Sequence, residues 1–209
     1  LTAARPPSGR PARLAFLIAL TVFAHTAFNG SRVTVSLYAL SLQSSPLVVG
    51  ALVSLYSVLP MFLSVLAGKM IDRVGVGRPL LWSSLAIALG VGLPAALPGL
   101  MPLYLACTVI GLAFMFFHIA VQNAVGALSA PEDRAVNFSW LALGFSISGF
   151  LGPTTAGLAI DHAGYRATFA ILAASALVPA VAFAIAKPAF ARGHAGGAPG
   201  AGVRDLLRV

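Results

Sequence analysis

Long apolar runs alternate with short polar gaps along this chain. Six runs read as membrane-crossing helices, at roughly 14–42, 47–67, 79–97, 102–128, 138–160 and 167–186. A helix needs about 20 apolar residues to cross the hydrocarbon core. The gaps carry turn and charge signals: Gln43-Ser-Ser-Pro46, Lys69 to Arg78, Pro98-Gly-Leu-Met-Pro102, Pro131-Glu-Asp-Arg134, and Asp161 to Arg166. Pro, Gly and Ser inside the runs are compatible with spans, because neighbouring helices satisfy the freed backbone groups.

Composition agrees with the pattern. Of 209 residues, 59% are hydrophobic and only 9% are charged, with a mean hydropathy of +0.94. A soluble domain carries about a quarter charged residues, so lipid is the solvent that suits this chain. The net charge of +8 raises nucleic acid as a partner. Placement excludes it: the basic residues sit in the gaps, without an aromatic ladder for stacking bases. A single cysteine, Cys107, lies inside an apolar run and rules out a disulfide framework or a cysteine-rich metal site. The abundance of Arg, Ala and Gly points to a bacterial source. No cofactor or metal is expected.

Sorting Lys and Arg by side gives the orientation. The N-terminal segment, alternate gaps and tail hold Arg5, Arg10, Arg13, Lys69, Arg73, Arg78, Arg134, Lys187, Arg192, Arg204 and Arg208, against Arg166 alone in the other gaps. Cytoplasmic loops are enriched in Lys and Arg, so both termini are expected in the cytoplasm of a cell with this protein in its inner membrane. The expected organisation is a tail over 1–13, a bundle over 14–187, and a linker over 188–209. The linker is rich in Gly, Ala and Pro and reads as a connector to a further segment.

The chain also repeats itself. Gly68-Lys-Met-Ile-Asp72-Arg73-Val-Gly75 and Gly157-Leu-Ala-Ile-Asp161-His162-Ala-Gly164 share one pattern at an offset of 89 residues. The same offset carries Leu14 onto Leu103, at the start of the fourth run. Three helices are thus repeated, and an odd number forces the second copy to run the opposite way. The fold expected is all-α, with six transmembrane helices as two inverted three-helix repeats. In the first copy, Gly68 is expected to permit close helix approach, Asp72 to face a helix N-terminus, and Arg73 and Arg78 to meet carboxylates or lipid phosphates.

These residues carry a family resemblance. Gly68-Lys-Met-Ile-Asp72-Arg73-Val-Gly75-Val-Gly-Arg78 resembles the signature between helices two and three of the major facilitator superfamily. Val76-Gly77 departs from it where basic residues are usual. Ser148-Gly-Phe-Leu-Gly152-Pro153-Thr-Thr-Ala156-Gly157 resembles the helix-five pattern best known from antiporters, with Ser148 and Ala156 in place of two glycines. The helix-four pattern is half present, Cys107 standing four before Gly111 where that family carries Arg. The resemblance implies the first six-helix half of a twelve-helix transporter, with the cavity between halves and the Asp72 loop acting as a conformational latch.

Polar residues inside the runs are the cavity candidates. Arg32 lies 11 residues from Gln43, or roughly 16 Å along a helix. A charge at that depth costs a few kcal/mol or more unless it faces water, a partner or substrate. His25, Asn29 and Arg32 share one face, and Asn29-Gly30 offers a flexible point in a long span. His118, Gln122 and Asn123 lie on the fourth run, and the repeat offset maps Asn29 onto His118. Interhelical hydrogen bonding is the competing reading for all six. Arg32 would attract an anionic group such as a carboxylate. Gly144, Ser148, Gly152 and Ala156 recur every fourth residue, a spacing that lets helices approach closely; Gly152-Pro153 and Gly157 add a hinge. No base accompanies the serines, so an enzyme is not expected. The function expected is secondary active transport of a small solute by alternating access. The alternative is a six-helix fragment or half-size protein that associates with another membrane protein, the second half being supplied by the same chain or a dimer mate.

Overall fold

In lipid, every backbone N–H and C=O needs a partner within the protein, and a helix supplies it along its own axis. The computed structural model describes residues 10–185, and these are helical almost throughout. Residues 1–9 of the tail expected over 1–13 and the linker over 188–209 lie outside the described residues, as does the end of the sixth expected span, while residues 10–13 of that tail already belong to the first helix. Five helices follow in order: α1 Arg10–Ser41, α2 Pro46–Val74, α3 Gly77–Ala96, α4 Leu100–Leu128 and α5 Arg134–Ile185. All five are long and apolar enough to cross a membrane.

The count differs from the six expected helices because the gap Asp161 to Arg166 is not a loop. α5 runs for 52 residues and leaves helical geometry only at Gly164, at φ 76° and ψ 173°. That single residue reverses the chain. A Cβ on Gly30 would lie 2.9 Å from the Gly152 carbonyl oxygen and 2.7 Å from Leu172. On a straight helix Gly152 and Leu172 would stand about 30 Å apart. Both touch one residue of α1, so α5 consists of two arms folded about Gly164.

The other boundaries shift for similarly local reasons. α2 continues through Gly68, Asp72 and Arg73 to Val74, and only the Gly75-Val76 step leaves the helix. Gly75 accomplishes this at φ 77° and ψ 168°, with its N–H donated to Ile71 O. Its conformation matches that of Gly164, its equivalent at the offset of 89 residues. At its other end, α2 starts with Ser45 accepting from Val48 N and Pro46 in the first turn, a pairing that satisfies one free donor and omits another.

The helices pack through small residues. A Cβ on Gly111 of α4 would sit 2.7–2.9 Å from the Tyr56 backbone of α2. One on Gly152 would sit 2.8 Å from Gly30 N and 2.9 Å from Thr26 O. Gly144, Ser148, Gly152 and Ala156 are all buried, and a Cβ on Gly144 would reach Ile18 and Val22 of α1. Gly30 serves this contact rather than a break, since α1 is continuous. Gly68 does not make the close approach expected of it: among the described residues nothing lies within 4 Å of a Cβ there, nor of one at Gly157. Pro153 is exposed within helical backbone, without a bend of the kind seen at Gly164.

The region around φ 77° with extended ψ is essentially restricted to glycine, and other residues there cost about 1–3 kcal/mol. Gly75→Ala and Gly164→Ala should each lower the thermal midpoint in detergent. Gly149→Ala, on an open helical surface, should not lower it. Cys107, the only cysteine, is fully buried, so a thiol-reactive dye reads the unfolding directly.

Candidate functional site

The six cavity candidates do not form one cluster: the histidines meet inside the bundle and Asn123 joins the Asp72 segment. His25 on α1 stacks on Phe145 of α5, with centroids 4.3 Å apart and rings 20° from parallel. It meets Phe114 of α4 edge-on at 4.6 Å and His118 of α4 at 5.6 Å. His118 in turn lies 5.1 Å from Phe145. Phe28 continues the stack, 3.6 Å from Phe114 and 5.6 Å from Tyr56. Among the described residues, Nε2 of His25, Nε2 of His118 and Oγ1 of Thr26 are buried without a hydrogen-bond partner. A buried polar group left unpaired costs about 1–3 kcal/mol, so the two facing histidines mark a site that packing alone does not explain.

A hydroxyl pair adjoins this aromatic box. Tyr56 and Ser31 hydroxyls are 3.1 Å apart. Ser31 donates to Phe28 O at 2.8 Å, which leaves Tyr56 to donate to Ser31. The Cys107 thiol lies within hydrogen-bonding reach of Tyr56. Arg32 is exposed, with the Tyr56 hydroxyl within its electrostatic reach. Asn29, half-buried, packs its Cβ against Gly152. His25 and His118 are thus brought together, Arg32 sits nearby on the surface, and Asn29 belongs to the α1–α5 contact.

Asn123 falls elsewhere. Its Nδ2 donates to Asp72 Oδ1 at 3.3 Å, tying the end of α2 to α4. Its place is the Gly68–Arg78 segment, not the interior cluster. Asp72 therefore accepts from a side chain on α4 where a helix N-terminus was expected. Arg73, Arg78 and Gln122 are exposed. Both Asp72 and Asn123 are also exposed, which limits the strength of their bond in water-accessible surroundings.

Sequence reasoning missed Phe114, Phe145, Tyr56, Ser31 and Phe28. The repeat itself held a signal: the offset of 89 residues carries His25 onto Phe114 and Tyr56 onto Phe145. Phe114 and Phe145, the residues at that offset from His25 and Tyr56, both lie against His25.

Helices long and apolar enough to cross a membrane, packed around a polar cluster, mark a multi-pass membrane protein. The family model of the Major Facilitator Superfamily matches residues 15–207. The chain belongs to that superfamily, whose members carry small molecules across membranes. No curated protein gives a significant match.

Replacing His25 by Phe keeps the stack and removes an unpaired buried nitrogen. His25→Phe should leave the thermal midpoint equal to the parent's or above it. A clear drop would mean that Nε2 of His25 makes a stabilising bond.

Proposed function

We propose that this protein is a secondary active transporter of a small solute working by alternating access. The observation that carries the reading is the meeting of His25 and His118, from α1 and α4, with their Nε2 atoms unpaired inside an aromatic box. Those helices start the two copies of the repeat. Unpaired nitrogens facing a bundle interior are available to a solute, or to water that a solute displaces. Arg32, near Tyr56, adds positive charge and favours an anionic group such as a carboxylate.

In this reading the bundle crosses the membrane six times, the arms of α5 counting as two spans. The crossings form two inverted sets of three. The shared conformation of Gly75 and Gly164 supports the repeat, because both glycines close the second helix of their set. The bundle spans 14–187 with both termini in the cytoplasm and the protein in an inner membrane. It is the N-terminal half of a twelve-helix protein, with 188–209 leading into the central linker. The apolar face of α2, where Met61, Phe62, Val65 and Leu66 are exposed, suits contact with lipid or with a second half. The Asp72–Asn123 bond supports a conformational role for Gly68, Asp72, Arg73, Gly75 and Arg78. It gives α2 and α4 a link that opens or closes with the loop, without touching solute.

A second reading is a half-size protein that works only with another membrane protein, and the exposed face of α2 favours it equally. Coding sequence beyond Val209 separates the two: six further spans support the first, and a stop codon the second.

Proteoliposome uptake across a panel of organic anions and cations tests the function. Arg32→Ala should abolish uptake of the preferred anion with insertion unchanged, and His25→Phe should impair uptake while the fold survives. Unchanged solute affinity in Arg32→Ala would remove Arg32 from the site. The absence of uptake of any solute by the complete protein would sink the transport reading.

A further inference from the structure

The outer surface of the bundle carries a second candidate site, away from the aromatic box. A groove of about 730 Å³ runs between α3 and the second arm of α5. Its walls are almost entirely small and apolar, with Gly92, Ala96, Ala170 and Ala174 among them and Leu177 at one end. At the other end stands Arg166. Alanine lining leaves a channel where larger side chains would otherwise interlock. Both Ala170 and Ala174 are exposed, as are Leu177 and Val178, so the groove faces the surroundings rather than a neighbouring helix.

Arg166 is held in place. Its Nε donates to Ala95 O at 2.9 Å, joining the end of α3 to α5 and fixing the plane of the guanidinium. That bond uses one of five donors, and among the described residues it leaves the two terminal amino groups free to chelate an oxyanion. Arg166 lies two residues past the reversal at Gly164, at the end of the arm and hence at the membrane boundary. From Arg166 to Leu177 is 11 residues, or about 16 Å of helix. The hydrocarbon depth of one leaflet is about half of 30 Å. The groove therefore has the length of one leaflet, an apolar floor, and a fixed cation at its polar end.

We propose that this groove binds an anionic phospholipid, with one acyl chain laid between α3 and the second arm of α5 and the phosphate held by Arg166. Charge complementarity selects the occupant: an acyl chain alone would not need a positioned guanidinium, and a neighbouring helix would not leave it free. Bound lipid cross-bridges α3 to α5 beside the Ala95–Arg166 bond and stabilises that side of the bundle.

Native mass spectrometry of the full chain, released from micelles doped with phosphatidylglycerol or phosphatidylcholine, provides the test. The parent should retain phosphatidylglycerol in preference to phosphatidylcholine. Arg166→Gln should cut phosphatidylglycerol retention about fivefold, the weight of one basic residue against an anionic surface, and Arg166→Lys should restore much of it. Ala170→Leu with Ala174→Leu fills the groove without altering charge, and these exposed positions tolerate the added volume. This double variant should lose retention of phosphatidylglycerol while keeping the parent's thermal midpoint in lipid-free detergent. Equal retention of the two lipids by the parent would overturn the proposal. So would loss on Arg166→Gln without loss on groove filling, which would reduce the effect to surface charge. A lipid-free dimer abolished by groove filling would assign the groove to a second copy instead.

Discussion

Lipid tails are as apolar as leucine, so burying Leu or Val between helices gains little over leaving them in the bilayer. What holds these helices is close contact between backbones, and glycine decides where that is possible. Gly30 and Gly152 face each other across α1 and α5, and Gly111 meets the Tyr56 backbone across α4 and α2. The site depends on these contacts. Tyr56 is locked by Gly111 at its backbone and by Ser31 at its hydroxyl. Phe145 follows Gly144, which packs on Ile18 and Val22, and this holds the Phe145 ring against His25.

The same contacts explain how the interior tolerates polar groups. The Thr21 and Thr34 hydroxyls each donate to the carbonyl one turn earlier, so these residues satisfy themselves within α1. His25, His118 and Thr26 do not. The contrast separates side chains that belong to helix packing from those left with bonding capacity to spare. Asn29, by its contact with Gly152, falls closer to the first group, and His25 and His118 fall in the second.

Much of the fold was legible because lipid enforces one simple rule, an apolar run of a certain length, and the runs are uninterrupted. Helix ends were less so. The Lys69–Arg73 stretch looks like a loop by charge, yet charge at the end of a helix is compatible with helical backbone, and only Gly75 breaks it. Asp161 to Arg166 misled in the same way, since a lone glycine reverses the chain without loop residues. In the site, periodicity grouped His25 with Asn29 and Arg32 on one face of α1, but it could not tell that His25 would meet a neighbour inside the bundle while Arg32 stays exposed. Asn123 follows Gln122 in sequence and still lands beside Asp72, because α4 carries different faces to different partners. The aromatic lining was hidden for another reason: Phe in an apolar run looks like any other core residue until a histidine is found against it.

The turn at Gly164 has a consequence for motion. α1 and α2 are joined by four residues, Leu42 to Ser45, and α3 and α4 by three, Leu97 to Gly99. The arms of α5 have a single glycine between them. Such a junction has almost no slack. Each arm can tilt about Gly164, but neither can slide past the other, so any rearrangement must carry that corner as one piece while the looser connections take up the strain.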